Sequence, residues 1–543
     1  MTSFTEDLAV TISLTINNTA YSVPAGNIKS LYLNIMPYGF NGEVSLVMPV
    51  ENTTDTLFTP LTGNTLIEVA LQANVYINNT EGTVNFVSLT GYVSTWGFSE
   101  QTLTNVLSTQ ELMLYRVYHL KFADPAQIFW KQHYPTYLLT NSTLQALITA
   151  QTPTQIKMTY NWSVLTTQYP VLSLSLGAPS NINRASFYDY LIWLVDTQNG
   201  VFLYDIATNQ YTLSANVASS GTAESLNPLE IAKFGMSYPE VRRYQANVLN
   251  AYSASPATTS ISNSQMVSPI RHDYIESYPI ASDMTSRVTL ETARMNQPLT
   301  EVWVEYQKIQ LQFTPPGQLV EFNNSSAWNS SIFVYGKTYN VKTWRLNARA
   351  VDENFLVDLN NAYGKYTVDH SIDLKTSTDL SVSLPFYNTP IYPFFVEGTM
   401  VSESGAATDS TYQFYTDSTT SANYYQISIP LWANQNVRAN YQPNFDAGQF
   451  YFPPYKNARV LVGLGFDNAF IAAFLDWGTG TALTLDSQGN QLVMGQSSTS
   501  QNIIKHSYVD SKPELQIQRT DAKDTELLQF SDGYIILQTL LGE

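Results

Sequence analysis

The last sixty or so residues constrain this chain most, because they hold many short β-type runs and too little between them to bury any. The runs are Leu483-Thr484-Leu485, Gln491 to Met494, Ile503-Ile504, Leu515 to Gln518, Leu527 to Phe530 and Tyr534 to Gln538, with Gly, Asp and Ser between. A lone ribbon of such strands is marginal in water, since its edges stay unpaired and its apolar side chains stay wet. Three chains wound about one axis remove both faults: neighbours pair every edge, and the inward Leu, Ile and Val fill the centre. The expectation is a stiff, blunt needle built by association.

Just upstream, Tyr424 to Trp477 carries β-branched and aromatic runs separated by turn chemistry: Ile427 to Trp432, Gly448 to Phe452, Val460 to Phe466 and Phe470 to Trp477. That spacing predicts a small closed barrel. The Gly448 to Phe452 run, followed by Pro453-Pro454 and Arg459-Val460-Leu461-Val462, resembles the oligonucleotide/oligosaccharide-type (OB) barrel of the central spikes of contractile injection machines: VgrG proteins of type VI secretion, their counterparts in extracellular particles, and phage hub-plus-needle proteins. In that resemblance Phe470 to Trp477 is the closing strand.

Upstream of the barrel, residues 8 to 115 alternate as strands, among them Leu8 to Leu14, Leu31 to Ile35, Val44 to Met48, Ile67 to Leu71, Val84 to Leu89 and Leu112 to Tyr115. Gly, Pro and Asn turns between them predict a sandwich or barrel. At Tyr118 the period changes. Asp124 is placed to cap a helix with Pro125 in the first helical position, where a missing N–H costs nothing. That helix carries Ile128, Phe129 and Trp130 into a core. A second helix is expected from Thr140 to Ser142 onward, with Leu144, Leu147 and Ile148 on one face. A third runs from Ser186 to Val195 with Phe187, Tyr190, Leu191 and Leu194 inward; it stops before Asn199-Gly200, and the strand Val201 to Asp205 follows. The order of Tyr118 to Ile148 and Ser186 to Tyr204 resembles the scaffold that follows the first barrel in the spike family.

The strand signal resumes at Ala246 to Tyr252, Glu301 to Tyr306 and Ile309 to Phe313, and Pro315-Pro316-Gly317 resembles the family's entry into a second tube-like barrel. Residues 399 to 424 are rich in Ser, Thr and Gly and read as a linker. The resemblance therefore implies a mainly β chain with a small α/β part: a first tail-tube-like β-barrel over 1–116, an α/β insert over 117–240, a second tube-like barrel over 241–400, a linker over 401–423, an OB-fold barrel over 424–478 and a trimeric, intertwined β-helix needle over 479–543. Asp124, Pro125, Trp130, Phe187, Gly317, Gly448, Pro453 and Trp477 are its motif residues, with structural roles.

The chain of 543 residues is long enough for several cores. It has no cysteine, which excludes disulfides and thiol chemistry, and a net charge of -18 with no Lys/Arg run, which argues against a nucleic-acid or anionic-membrane partner. The start, MTSFTEDLAV, has no signal-peptide character, and no run reaches the ~18 apolar residues of a membrane helix, so synthesis in the cytoplasm is expected. The five histidines, His119, His133, His272, His370 and His506, show no metal-ligand spacing. No GxSxG, Walker or GxGxxG element is present. No metal, cofactor or catalytic residue is assigned.

The function implied is structural and non-enzymatic: a homotrimeric spike joining a hexameric inner tube and baseplate to a needle that meets the target membrane only on firing. Its implied partners are the first tube ring, baseplate proteins and a PAAR-like tip cap, and its implied place is the baseplate of an injection particle, with the acidic, Cys-free composition leaning toward an extracellular or phage-like one. Two rivals stand beside it. The Tyr- and Asn-rich β composition also suits a carbohydrate-binding tail fibre or adhesin, and a β scaffold suits a polysaccharide hydrolase, although no catalytic constellation marks one.

Overall fold

In the computed structural model the chain is mainly β. The structure describes all residues except 1–2, 51–54, 64, 78–79, 104–112, 179–183, 218–220, 253–254, 278–280, 296–299, 311, 324–327, 353, 355–356, 380–381, 402–413, 419–422, 441–455, 476–489, 498 and 543. The chain divides into two compact units: Met1–Tyr134, Gln151–Leu165 and Asn183–Thr389 make the first, and Pro135–Ala150, Thr166–Ile182 and Pro390–Glu543 make the second.

In the first unit, strands with period-2 burial such as Phe4–Ile16, Ile28–Met36 and Gly364–Thr376 turn one side into a core. Their pairings close a circuit. Strand Thr338–Ala350 pairs with Ile28–Met36, and the ladder continues through Gly39–Pro49, Met113–Ala123, Thr80–Leu103, Ile67–Ile77, Phe4–Ile16 and Gly364–Thr376, which pairs back with Thr338–Ala350. The eight-strand circuit thus draws six strands from residues 4–123 and two from residues 338–376, and the 13-stranded sheet to which it belongs also takes Glu224–Ser225 and Ile231–Ser237 from between them. Tertiary pairing decides this: Leu346 opposes Leu33, and Val368 opposes Phe4, across separations that local pattern does not encode.

Ile309 to Phe313, expected as a strand, is not one among its described residues. Its Gln310 is buried as the polar hub of a core instead: the Gln310 amide donates to Tyr306 Oη at 2.6 Å and to Thr314 Oγ1 at 3.0 Å, and its oxygen accepts from Trp344 Nε1 at 3.3 Å. The same oxygen lies 3.0 Å from His370 Nε2, while His370 Nδ1 lies 2.9 Å from the Arg345 carbonyl. A neutral imidazole can donate to only one of these two oxygens. Burial pushes the His370 pKa down to about 4, against the opposing pull of the Arg345 carbonyl.

The unit also contains a three-stranded sheet of Gln245–Asn250, Ala257–Ile261 and Arg271–Glu276, with helix Ala281–Arg294 packed on it. Ala246, Val248, Ile261 and Met284 form the small core between them.

In the second unit, Phe394–Met400, Arg459–Leu464, Ala469–Phe474, Gln435–Asn440 and Asn423–Ile429 pair in a closed circuit, a five-strand barrel. Its interior is filled by Met400, Tyr425, Ile427, Val437, Val460, Val462 and Leu464, with Leu138 and Val171 packed on from the segments 135–150 and 166–182. Ser173 ties those segments to the barrel, its N–H donating to Phe466 O at 2.9 Å and its hydroxyl to Gly465 O at 2.5 Å. Thr136–Thr143 is a strand, so Thr140 to Ser142 do not begin a helix as expected; that helix is Leu144–Ala150, and Thr143 Oγ1 accepts the Ala146 N–H at 3.1 Å. Most of the expected linker at 401–423 lies outside the described residues, as does the expected strand Gly448 to Phe452.

The chain ends in an antiparallel meander of Asn490–Ser497, Ser500–Val509, Lys512–Asp521, Asp524–Ser531 and Tyr534–Leu540. These strands are longer than the sequence runs suggested, because polar residues such as His506, Arg519 and Glu526 alternate with the apolar ones inside each strand.

Candidate functional site

The sequence-predicted motif residues fall in three places. Asp124, Pro125, Trp130 and Phe187 come together in the first unit. Asp124 is fully buried at the N-cap of helix Pro125–Phe129, with Pro125 in the first turn. One carboxylate oxygen accepts from Gln127 N at 3.1 Å and from Tyr211 Oη at 2.5 Å; the other accepts from Phe40 N at 3.0 Å and Gln127 Nε2 at 2.6 Å. Burial pushes the carboxyl pKa up, and the donors from Tyr211, Gln127 and Phe40 oppose it. Gly39 makes room for the carboxylate: a Cβ there would stand 2.2 Å from Asp124 Oδ2, and its φ of +150° already disfavours a side chain.

Trp130 is buried beside this cage, edge-on to Phe187 at 5.3 Å, with its Nε1 donating to Gln151 O at 3.0 Å. Phe187 opens helix Phe187–Thr197, where Ser186 and Asp189 form a capping box. All polar atoms of Asp124 are occupied by the protein itself, so this cluster binds the fold together and offers nothing to a ligand. Gly317 sits apart, in a turn with φ +91°, its N–H donating to Val341 O at 2.8 Å. Gly448, Pro453 and Trp477 lie outside the described residues. Among the described residues no group of three or more His, Asp or Glu is placed to hold a metal, and no helix is long and apolar enough to cross a membrane.

The region that lacks internal completion is the terminal sheet. Its register aligns Leu492, Ile504, Ile517, Leu528 and Leu537 directly opposite one another, a straight apolar row over all five strands. The next row on the same face is His506, Leu515, Phe530 and Ile535. Side chains alternate between faces, so Gln516, Gln518 and Gln529 fall on the other side. There Gln516 Nε2 donates to Glu514 at 2.7 Å and to Gln529 at 3.4 Å, and Gln529 also donates to Glu514. That face carries this hydrogen-bonded network beside Val493, Ile503, Leu527 and Ile536, while the face with the straight apolar row stays more open: Leu492 is 39% exposed, Ile517 43%, Phe530 40%, Ile535 69% and Leu537 81%. A contiguous exposed apolar row of that kind makes this face the candidate interaction surface.

Across one end of the open face runs a polar row, Asn502, Arg519, Glu526 and Thr539, with Met494 beside it. Arg519 donates to Glu526 at 3.0 Å and to Asp521 at 2.7 Å. A shallow groove of about 500 Å³ lies between this row and the apolar one. Sequence reading found the apolar residues and missed Arg519 and Glu526; the alternation Leu515-x-Ile517-x-Arg519 is the signal that places the arginine on the apolar side.

The sequence matches no protein-family profile and no curated protein. The fold does match. A chain of the Francisella PdpA-VgrG complex in its lidded form aligns with TM-score 0.70 at 15% identity, covering 98% of this chain and 80% of that one. A chain of the lidless PdpA-VgrG complex aligns with TM-score 0.69 at 14% identity, covering 98% of both. The half-lidded Francisella complex gives 0.69 at 15%, covering 98% of this chain and 88% of that one. The protein has, over nearly its whole length, the fold of a chain found in those complexes.

Proposed function

We propose that this protein is a structural, non-enzymatic spike subunit of a contractile injection machine, working as a homotrimer whose terminal sheets pack their open faces together into a needle. The observation that carries the reading is the row Leu492, Ile504, Ile517, Leu528 and Leu537, aligned across five strands, with Leu492, Ile504, Ile517 and Leu537 exposed to water in the single chain and Leu528 half-buried among them. Leaving these apolar side chains partly wet forgoes on the order of 1 kcal/mol each, a fraction of what full burial supplies, which packing against further copies recovers. A closed five-strand barrel precedes the sheet and supplies a rigid mount for it. The fold shared with a chain of PdpA-VgrG complexes supports the same reading.

In this function the first unit is the base, meeting the first ring of the inner tube and the baseplate, and the needle tip carries a small sharpening cap. Stiffness comes from inter-chain packing, and the chain does no covalent chemistry. Immunogold labelling of intact particles with antibody against this chain tests the proposal. Gold confined to the baseplate end of a contractile tail is expected; gold along lateral fibres, together with saturable glycan binding, would replace the spike with an adhesin.

A further inference from the structure

We infer that Arg519 and Glu526 set the register in which copies of the terminal sheet meet, a role that rests on the self-association proposed above. The apolar row alone specifies register poorly. Its members are all Leu or Ile and recur once per strand, about 4.8 Å apart, so a copy slipped by one strand still lays apolar on apolar. The charged pair breaks this degeneracy, because it occurs once in the five-strand row beside the groove: the matching positions on the other strands are Met494, Asn502 and Thr539.

The occupant is a second copy of this chain, and charge complementarity identifies it. Each open face presents one guanidinium between two carboxylates, Arg519 with Glu526 and Asp521. Glu526 keeps acceptor capacity beyond its bond to its own Arg519, so around a threefold ring each copy offers its guanidinium to the carboxylate of the next copy and its own carboxylate receives that of the copy on the other side. In the single chain the pair is about half exposed, at 47% and 51%, and an ion pair in such a setting adds little to stability. Covering the groove strips its water. A slipped copy then sets a guanidinium or carboxylate against Met494, Asn502 or Thr539, none of which can neutralise it, which is unfavourable, whereas the aligned copy keeps each charge paired. The device trades some association strength for a single register, as one polar residue does in a coiled-coil seam.

The absence of cysteine makes the test direct. Gln538→Cys, on the opposite face, gives one spin-label site per chain, and pulsed dipolar spectroscopy reads the distance between copies while sedimentation reads the mass. With Arg519 and Glu526 in place, a multi-chain mass and one narrow distance are expected. With Arg519→Leu and Glu526→Leu together, the mass should persist and the distances should spread in steps of about one strand spacing. With Arg519→Leu alone, Glu526 and Asp521 stay unneutralised, and association should weaken at least tenfold. An unchanged narrow distance in the double-leucine chain overturns the register role while leaving self-association standing; a single-chain mass with both residues intact overturns self-association itself.

Discussion

The Asp124 cage in the first unit and the terminal sheet of the second are built from similar materials and reach opposite ends. Around Asp124, a buried carboxylate meets four donors from its own chain, and a tryptophan and a tyrosine shelf seal it. In the terminal sheet Gln516, Gln529 and Glu514 of one face are bonded among themselves, whereas the apolar row of the other face is left largely exposed among the described residues. A region finished by its own residues shows its strength in a single chain, whereas one that waits for copies shows it only in the assembly. Substitutions therefore separate the two: those in the cage should act on unfolding, and under the proposed self-association those on the open face should act on association.

The largest effect on unfolding is expected from Asp124→Ala. It leaves the Tyr211 hydroxyl and the Phe40 N–H buried without their acceptor and opens a void beside them, a loss of about 3–5 kcal/mol by chemical denaturation. The buried imidazole of His370 comes next. Its folded pKa lies below the usual 6.5, so the unfolded chain takes up a proton first as pH falls, and the stability it contributes is present above pH 6.5 and drains away down to about 4. Roughly 3 kcal/mol should disappear over that window, and His370→Gln should flatten that part of the profile.

Gly39→Ala should cost about 2 kcal/mol, because the new methyl collides with the Asp124 carboxylate at a φ that already resists a side chain. At the bottom of the scale, Arg459→Ala removes an ion pair to Glu397 with both side chains more than half exposed, and its effect should stay within about 0.5 kcal/mol. An Asp124→Ala loss no larger than that of Arg459→Ala would erase the contrast between buried and open polar groups.

How much of this was legible in the sequence follows from how local each signal is. Strand Glu301–Tyr306, strand Val201–Asp205 and the capped helices after Asp124 and Ser186 coincide with their patterns, because alternation and caps are written within a few residues. Strand Phe394–Met400 went unread: its outward Phe395, 54% exposed, hides the alternation, and its barrel partners lie beyond the Ser/Thr-rich stretch. Helix Ala281–Arg294 went unread because Thr285, Val288, Thr289 and Thr292 are poor helix formers, and packing of Met284 and Val288 on the small sheet overrides them.

Of the candidate site, the apolar content of the tail was visible and its division into faces was not. Which side Ile517 or Gln516 takes depends on registers fixed by two-residue turns, such as Asp510-Ser511 with φ of 48° and 64° and Asp532-Gly533 with a left-handed glycine. Once the register is fixed, the open row and the charged pair beside it follow.

The central claim is that the terminal sheet is completed by copies of itself, and the mass of the intact chain in solution tests it most directly. Sedimentation equilibrium at micromolar concentration should give about three times the single-chain 60.8 kDa, and Leu528→Glu should return it to one chain without altering thermal unfolding of the rest. A mass of 60.8 kDa for the unaltered chain would contradict the account.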